Sequence, residues 1–161
     1  MKKSIIYVTV GSVALIMLVL STVTLMNGSF GSIMILESKS PYSYEQTIAA
    51  IQDNAKEQNW IIPKKYDFQK SMRKHNQPDC GKVSVFKLCH PEIAGKMLAS
   101  DQNKFVSVMM PCSVSVYEKG DGNTYVAAMN MEMMSKVMGN EMRPILQRVA
   151  REHEAILGFL E

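Results

Sequence analysis

Cys89 and His90 stand side by side in the stretch Phe86-Lys87-Leu88-Cys89-His90-Pro91, and Met109-Met110-Pro111-Cys112 brings a second thiol directly behind a proline. Thiolate, imidazole and thioether are soft or borderline donors, suited to copper as Cu(I), to zinc, or to haem iron. Two facing thiols also serve thiol-disulfide exchange or sulfur transfer, and outside the cytoplasm they form structural bridges. The candidate site is therefore Cys89, His90, Pro111 and Cys112, with Cys89, His90, Cys112 and Met110 as the metal-ligand set. Plain core packing is the alternative to all of these, because a buried free cysteine behaves as a small hydrophobe.

Other residues of the same types fall outside this group. With three cysteines in the chain, at least one thiol stays unpaired in a monomer. Cys80 precedes the strand that Cys89 ends, and at about 3.3 Å per residue it lies roughly 25 Å from the site. His75 sits among turn residues. His153 falls between Glu152 and Glu154 on a helix and reads as solvated. Met134, Met138 and Met142 recur every four residues, a helical face that reads as core or dimer contact before metal. No G-x-S-x-G, H-E-x-x-H, phosphate-binding loop or G-x-G-x-x-G occurs. No carboxylate pair is placed for acid–base work, so the reading leans away from an enzyme.

Strands and helices must bring these residues together. Lys82 to Leu88 alternates, with Val83, Val85 and Lys87 on one side and Ser84, Phe86 and Leu88 on the other. Both sides carry apolar residues, which predicts an interior strand. Ser113 to Tyr117 and Thr124 to Met129 read as strands joined by a glycine-containing hairpin turn. If the strands at 83–88 and 113–117 are antiparallel neighbours, the end of the first lies beside the start of the second. Cys89 and Cys112 then meet at one edge of the sheet.

Ser43 and Gln46 form a capping-box pattern ahead of a helix. Tyr66 to Lys74 reads as an edge strand or loop, and Pro91 opens a helix to about Ser100. Phe105 to Met110 returns the chain. Asn130 caps a short helix stopped by Gly139. Asn140 caps the last one, whose core stripe is Met142, Ile145, Leu146, Val149, Ile156, Leu157 and Leu160. The order predicts an α+β fold, an antiparallel sheet with helices mainly on one face.

The N-terminus reads as an address. Met1-Lys2-Lys3 precedes the uncharged run Ser4 to Met26, long enough to cross a hydrocarbon core of about 30 Å as a helix. Lysines before it and none just after it keep the N-terminus cytoplasmic. The expected organisation is a cytoplasmic stub at 1–3, a transmembrane signal-anchor helix at 4–26, a linker at 27–32 and a folded domain at 33–161. A single-pass protein of the inner or cell membrane, its domain extracytoplasmic, follows. The net charge is +3, two of it from Lys2 and Lys3, and no Lys/Arg block stands out, which argues against nucleic acid.

The stretch from Val83 to Gly139 resembles the bacterial and archaeal family called domain of unknown function 302. The matching features are Cys89 and Pro91, Pro111-Cys112, Val116-Tyr117-Glu118, the glycine turn Gly120 to Gly122, and Met129-Asn130. His90 stands where the family pattern has Asn. The resemblance covers about Ser32 to Leu160 and implies a β-α-β(4)-α fold, similar to the TATA-binding-protein-like class, and a homodimer. It implies no settled activity.

Overall fold

The alternation in Val83–Cys89 sets the architecture. Ser84, Phe86 and Leu88 are almost wholly buried, while the residues between them are half-buried. A strand with one sealed and one half-open face belongs inside a sheet covered by helices on one side. In the computed structural model, residues 33–160 are described. The transmembrane helix expected over Ser4 to Met26 and the linker at 27–32 lie outside the described residues. Among the described residues no helix is long and apolar enough to cross a membrane.

From Ile35 onward the chain forms one compact unit. Its five strands are β1 (Ile35–Lys39), β2 (Ile61–Asp67), β3 (Val83–Cys89), β4 (Cys112–Glu118) and β5 (Thr124–Met129). They make a single antiparallel sheet in the order β1-β5-β4-β3-β2. The helices are α1 (Tyr44–Glu57), α2 (Phe68–Lys74), α3 (Pro91–Leu98), α4 (Met131–Val137) and α5 (Arg143–Leu157), with a 3-10 helix at Asp101–Met109. The expected β-α-β(4)-α order is present, interrupted by three short helices and the 3-10 turn.

The sealed face carries Phe86, Leu88, Val114 and Val116 at 0% exposure, with Val126 and Ala128 beside them. Two long helices cover it. The α1 helix starts as its capping box demands: Ser43 Oγ accepts from Gln46 N at 3.4 Å, and Gln46 Oε1 accepts from Ser43 N at 3.1 Å. It buries Tyr44, Thr47, Ile51 and Ala55, and the Tyr44 hydroxyl donates to Ser84 Oγ on β3 at 2.8 Å. The α5 helix buries Leu146, Val149, His153 and Ile156, a stripe at helical spacing.

Three local expectations are corrected. Tyr66 to Lys74, expected as an edge strand or loop, is strand only to Asp67, whose Oδ1 accepts from Lys70 N at 2.9 Å and caps α2. The chain returning through Phe105 to Met110 is wound as a 3-10 helix. The last helix begins at Arg143 rather than at an Asn140 cap, with Met142 in the cap position and no side-chain cap. Pro144 does lie in its first turn, where a missing N–H costs nothing.

Candidate functional site

At one rim of the sheet β3 ends, β4 begins and β5 ends. The pairing sets Leu88 opposite Cys112, so both lie on the helix-covered face. Cys89, one residue on, falls on the alternate row, pairs with Ile61 of β2, and borders the site from the strand end. The Met110–Pro111 bond just ahead of Cys112 is cis. Cys89, His90, Met110, Pro111 and Cys112 all line one pocket of about 50 Å³.

Sulfur-bearing residues make up eight of the eighteen that line it. Besides the two thiols, it receives the thioethers of Met97 from α3, Met109 and Met110 from the 3-10 turn, Met129 from β5, Met131 from α4 and Met142 ahead of α5. No Asp, Glu, Lys or Arg lines it. All three cysteines are free. Burial, and then the neighbouring Cys89 sulfur, push the Cys112 thiol up to about 11. Cys112 is therefore a neutral thiol at neutral pH. About 50 Å³ of space admits a few water-sized groups, one such group needing about 10–15 Å³; it does not admit a haem.

His90 is turned to other work. Its Nδ1 accepts from Ile93 N at 3.4 Å and caps α3. Its Nε2 lies 3.5 Å from Arg148 Nη2. Among the described residues no three His, Cys, Asp and Glu side chains gather as a metal site.

A family model described as "Domain of unknown function DUF302" matches residues 36–160. The chain belongs to the DUF302 family. A crystal structure of an uncharacterized conserved DUF302 protein from Bacillus stearothermophilus superimposes with a TM-score of 0.70 at 15% identity, covering 80% of this chain and 99% of that one. At that identity the likeness is one of fold. No curated protein matches the chain.

Within this DUF302 domain a polar chain backs the pocket. Trp60, itself a lining residue, donates from Nε1 to Glu152 Oε2 at 2.8 Å. Arg148 donates from Nε to Glu152 Oε1 at 2.7 Å and from Nη1 to Glu92 Oε1 at 3.4 Å. Burial alone would raise the Glu152 carboxyl, but hydrogen bonds from Arg148 and Trp60 outweigh it and hold the group below its usual range. The Trp60 ring also meets His90 and His153 edge-on, at centroid distances of 5.7 and 5.0 Å.

His153 corrects the sequence reading most sharply. It is 6% exposed, not solvated. Among the described residues its Nε2 has no hydrogen-bond partner, and burial pushes its pKa down to about 4. The signal was present, because 153 completes the spacing Val149, His153, Ile156 on the inward face of α5. His75 and Cys80 are exposed and outside the pocket, as expected. Met134 and Met142 are buried and Met138 partly so, which places the four-residue repeat in the core rather than on a free face.

Proposed function

We propose that this DUF302 domain is a membrane-anchored, extracytoplasmic receptor for a soft ligand, and that Cu(I) is the ion its donors suit. One observation carries the reading: a small pocket with no charged residue in its lining, to which two cysteines and six methionines contribute. Thiolate and thioether donors select Cu(I) over harder divalent ions. Cys112 and the methionines supply the donors and Cys89 borders the site. His90 shapes it through α3 instead of binding. Zinc suits the site less, since no third Cys, His or carboxylate completes a tetrahedral set among the described residues. The anchor and the extracytoplasmic location are supported by the uncharged run Ser4 to Met26 behind Lys2 and Lys3.

The high Cys112 pKa also ranks the chemistry. A thiol near 11 is almost wholly protonated at neutral pH and is a poor nucleophile or exchange partner. A soft metal binds the thiolate and drives the proton off, whereas attack on a disulfide needs the thiolate to be formed beforehand. The test is anaerobic titration of the detergent-solubilised full chain with Cu(I) against a competing chelator. The expected result is one retained equivalent with sulfur-to-copper charge-transfer absorption in the ultraviolet, lost in Cys112→Ser. A wild-type chain that gives up all its copper to a weak competitor would overturn the proposal.

A further inference from the structure

Several of the exposed large apolar side chains fall at strand ends, with Ile33 ahead of β1 and Val137 at the end of α4 exposed as well. Ile35 opens β1, Ile61 opens β2 and Met129 closes β5, and all three are exposed. Ile35 pairs with Met129, and Ile61 pairs with Cys89, so they mark one rim from edge to edge of the sheet. Leu36, next to Ile35, is exposed as well. Between Cys89 and Cys112 the chain makes a single excursion from this rim, in which α3 packs chiefly against the 3-10 helix. Phe105 and Val108 on that excursion are 64% and 86% exposed. On the same 3-10 helix, Lys104 pairs with Asp101 and adds no net charge. At the opposite rim the exposed large side chains are Tyr42, Tyr66 and Phe68, two of which carry a hydroxyl.

β1 is the first strand, so the chain enters the domain at this same rim. The uncharged run ends at Met26 and β1 begins at Ile35, so the eight intervening residues, 27–34, span at most about 29 Å even fully extended. On the anchor reading, the start of β1 is tied to the membrane by no more than that length of chain. Apolar side chains left uncovered near a bilayer gain by entering its interface. The sulfur pocket lies at that rim too, between Cys89, Cys112 and Met129.

We propose that this rim, through Phe105, Val108, Ile35 and Leu36, rests on the lipid surface, so that the pocket exchanges its ligand at the membrane face. The inference rests on the anchor reading above. It is independent of which ligand the pocket takes.

Depth-dependent quenching tests it. The full chain is reconstituted into phosphatidylcholine vesicles with and without acyl-chain-brominated lipid, carrying Val108→Trp, Phe105→Trp or, at the far rim, Tyr66→Trp. Native Trp60 is a common background. All three positions are exposed, so the substitutions leave the core intact. The expected result is bromine quenching of the added fluorescence at 105 and 108 at least threefold stronger than at 66. Equal quenching at the three positions, with the protein co-floating with the vesicles, overturns the docking and leaves the anchor standing. A full chain that stays out of the vesicle fraction overturns both.

Discussion

Proton release is the sharpest consequence of a neutral thiol in the pocket. With the Cys112 thiol pushed up to about 11, the thiolate fraction at pH 7 is on the order of 10⁻⁴, a deprotonation cost of about 5 kcal/mol. Metal binds the thiolate, so the ion must displace the proton. Apparent affinity for Cu(I) through Cys112 then rises about tenfold per pH unit across the whole range below 11. Cys112→Met removes the ionisable group and keeps a soft donor of the kind already surrounding it. The assay is chelator competition for Cu(I) between pH 6 and 9, with the chelator's own titration subtracted. The expected outcome is a slope of log affinity against pH that is lower by about one unit in Cys112→Met than in the wild type. The variant should also bind more tightly than wild type at pH 6, where the proton is hardest to displace. Parallel slopes in the two proteins would refute the argument, since Cys112 would then be no ligand.

Three further outcomes follow from single residues. His153, with a folded pKa of about 4 against an ordinary 6.5, lets the unfolded chain take up a proton that the folded one refuses. Stability should therefore be unaffected above pH 7 and fall between about 6.5 and 4 by roughly 3 kcal/mol. Urea midpoints against pH should show that slope in the wild type and a flatter line in His153→Leu. His90→Asn should hold urea stability within a few tenths of a kcal/mol, because Asn caps a helix as well as the imidazole does, whereas His90→Ala should lose about 1 kcal/mol. Both should bind Cu(I) as wild type does, and a large loss in His90→Asn would restore the imidazole as a ligand. Glu152→Ala leaves the Trp60 indole N–H without its acceptor; a thermal-melt loss equivalent to about 1–3 kcal/mol, with a shifted tryptophan emission, is the expected result.

Local signals in this chain were legible and long-range ones only partly so. Ser43 and Gln46 cap each other across one turn, and Asn130 Oδ1 accepts from Met133 N at 3.0 Å; both are contacts between near neighbours in sequence, so the residue types suffice. The helix at Phe68–Lys74 was hidden because it buries nothing. With no apolar stripe to show a 3.6 period, only the Asp67 cap announces it. His153 was misjudged from its neighbours Glu152 and Glu154, yet residues one apart on a helix point in different directions. The deciding neighbours were Val149 and Ile156.

The pocket shows the same limit at tertiary scale. Antiparallel pairing of β3 with β4 follows from two alternating strands, and it alone brings Cys89 and Cys112 to one rim. What pairing does not convey is the pleat, which sets Cys112 beside Leu88 and puts Cys89 on the other row. Nor does it convey the thioethers, since they arrive from α3, the 3-10 turn, β5, α4 and the approach to α5, with no common spacing. His90 shows how a residue type can mislead. An imidazole next to a thiol suggests a ligand, but at the end of a strand and one residue before a proline the backbone needs an acceptor for the first turn of a helix. Asn commonly meets that need with its side-chain carbonyl oxygen, and here His90 meets it with Nδ1. The position demands a cap, and that demand accounts for His90 without a ligand role.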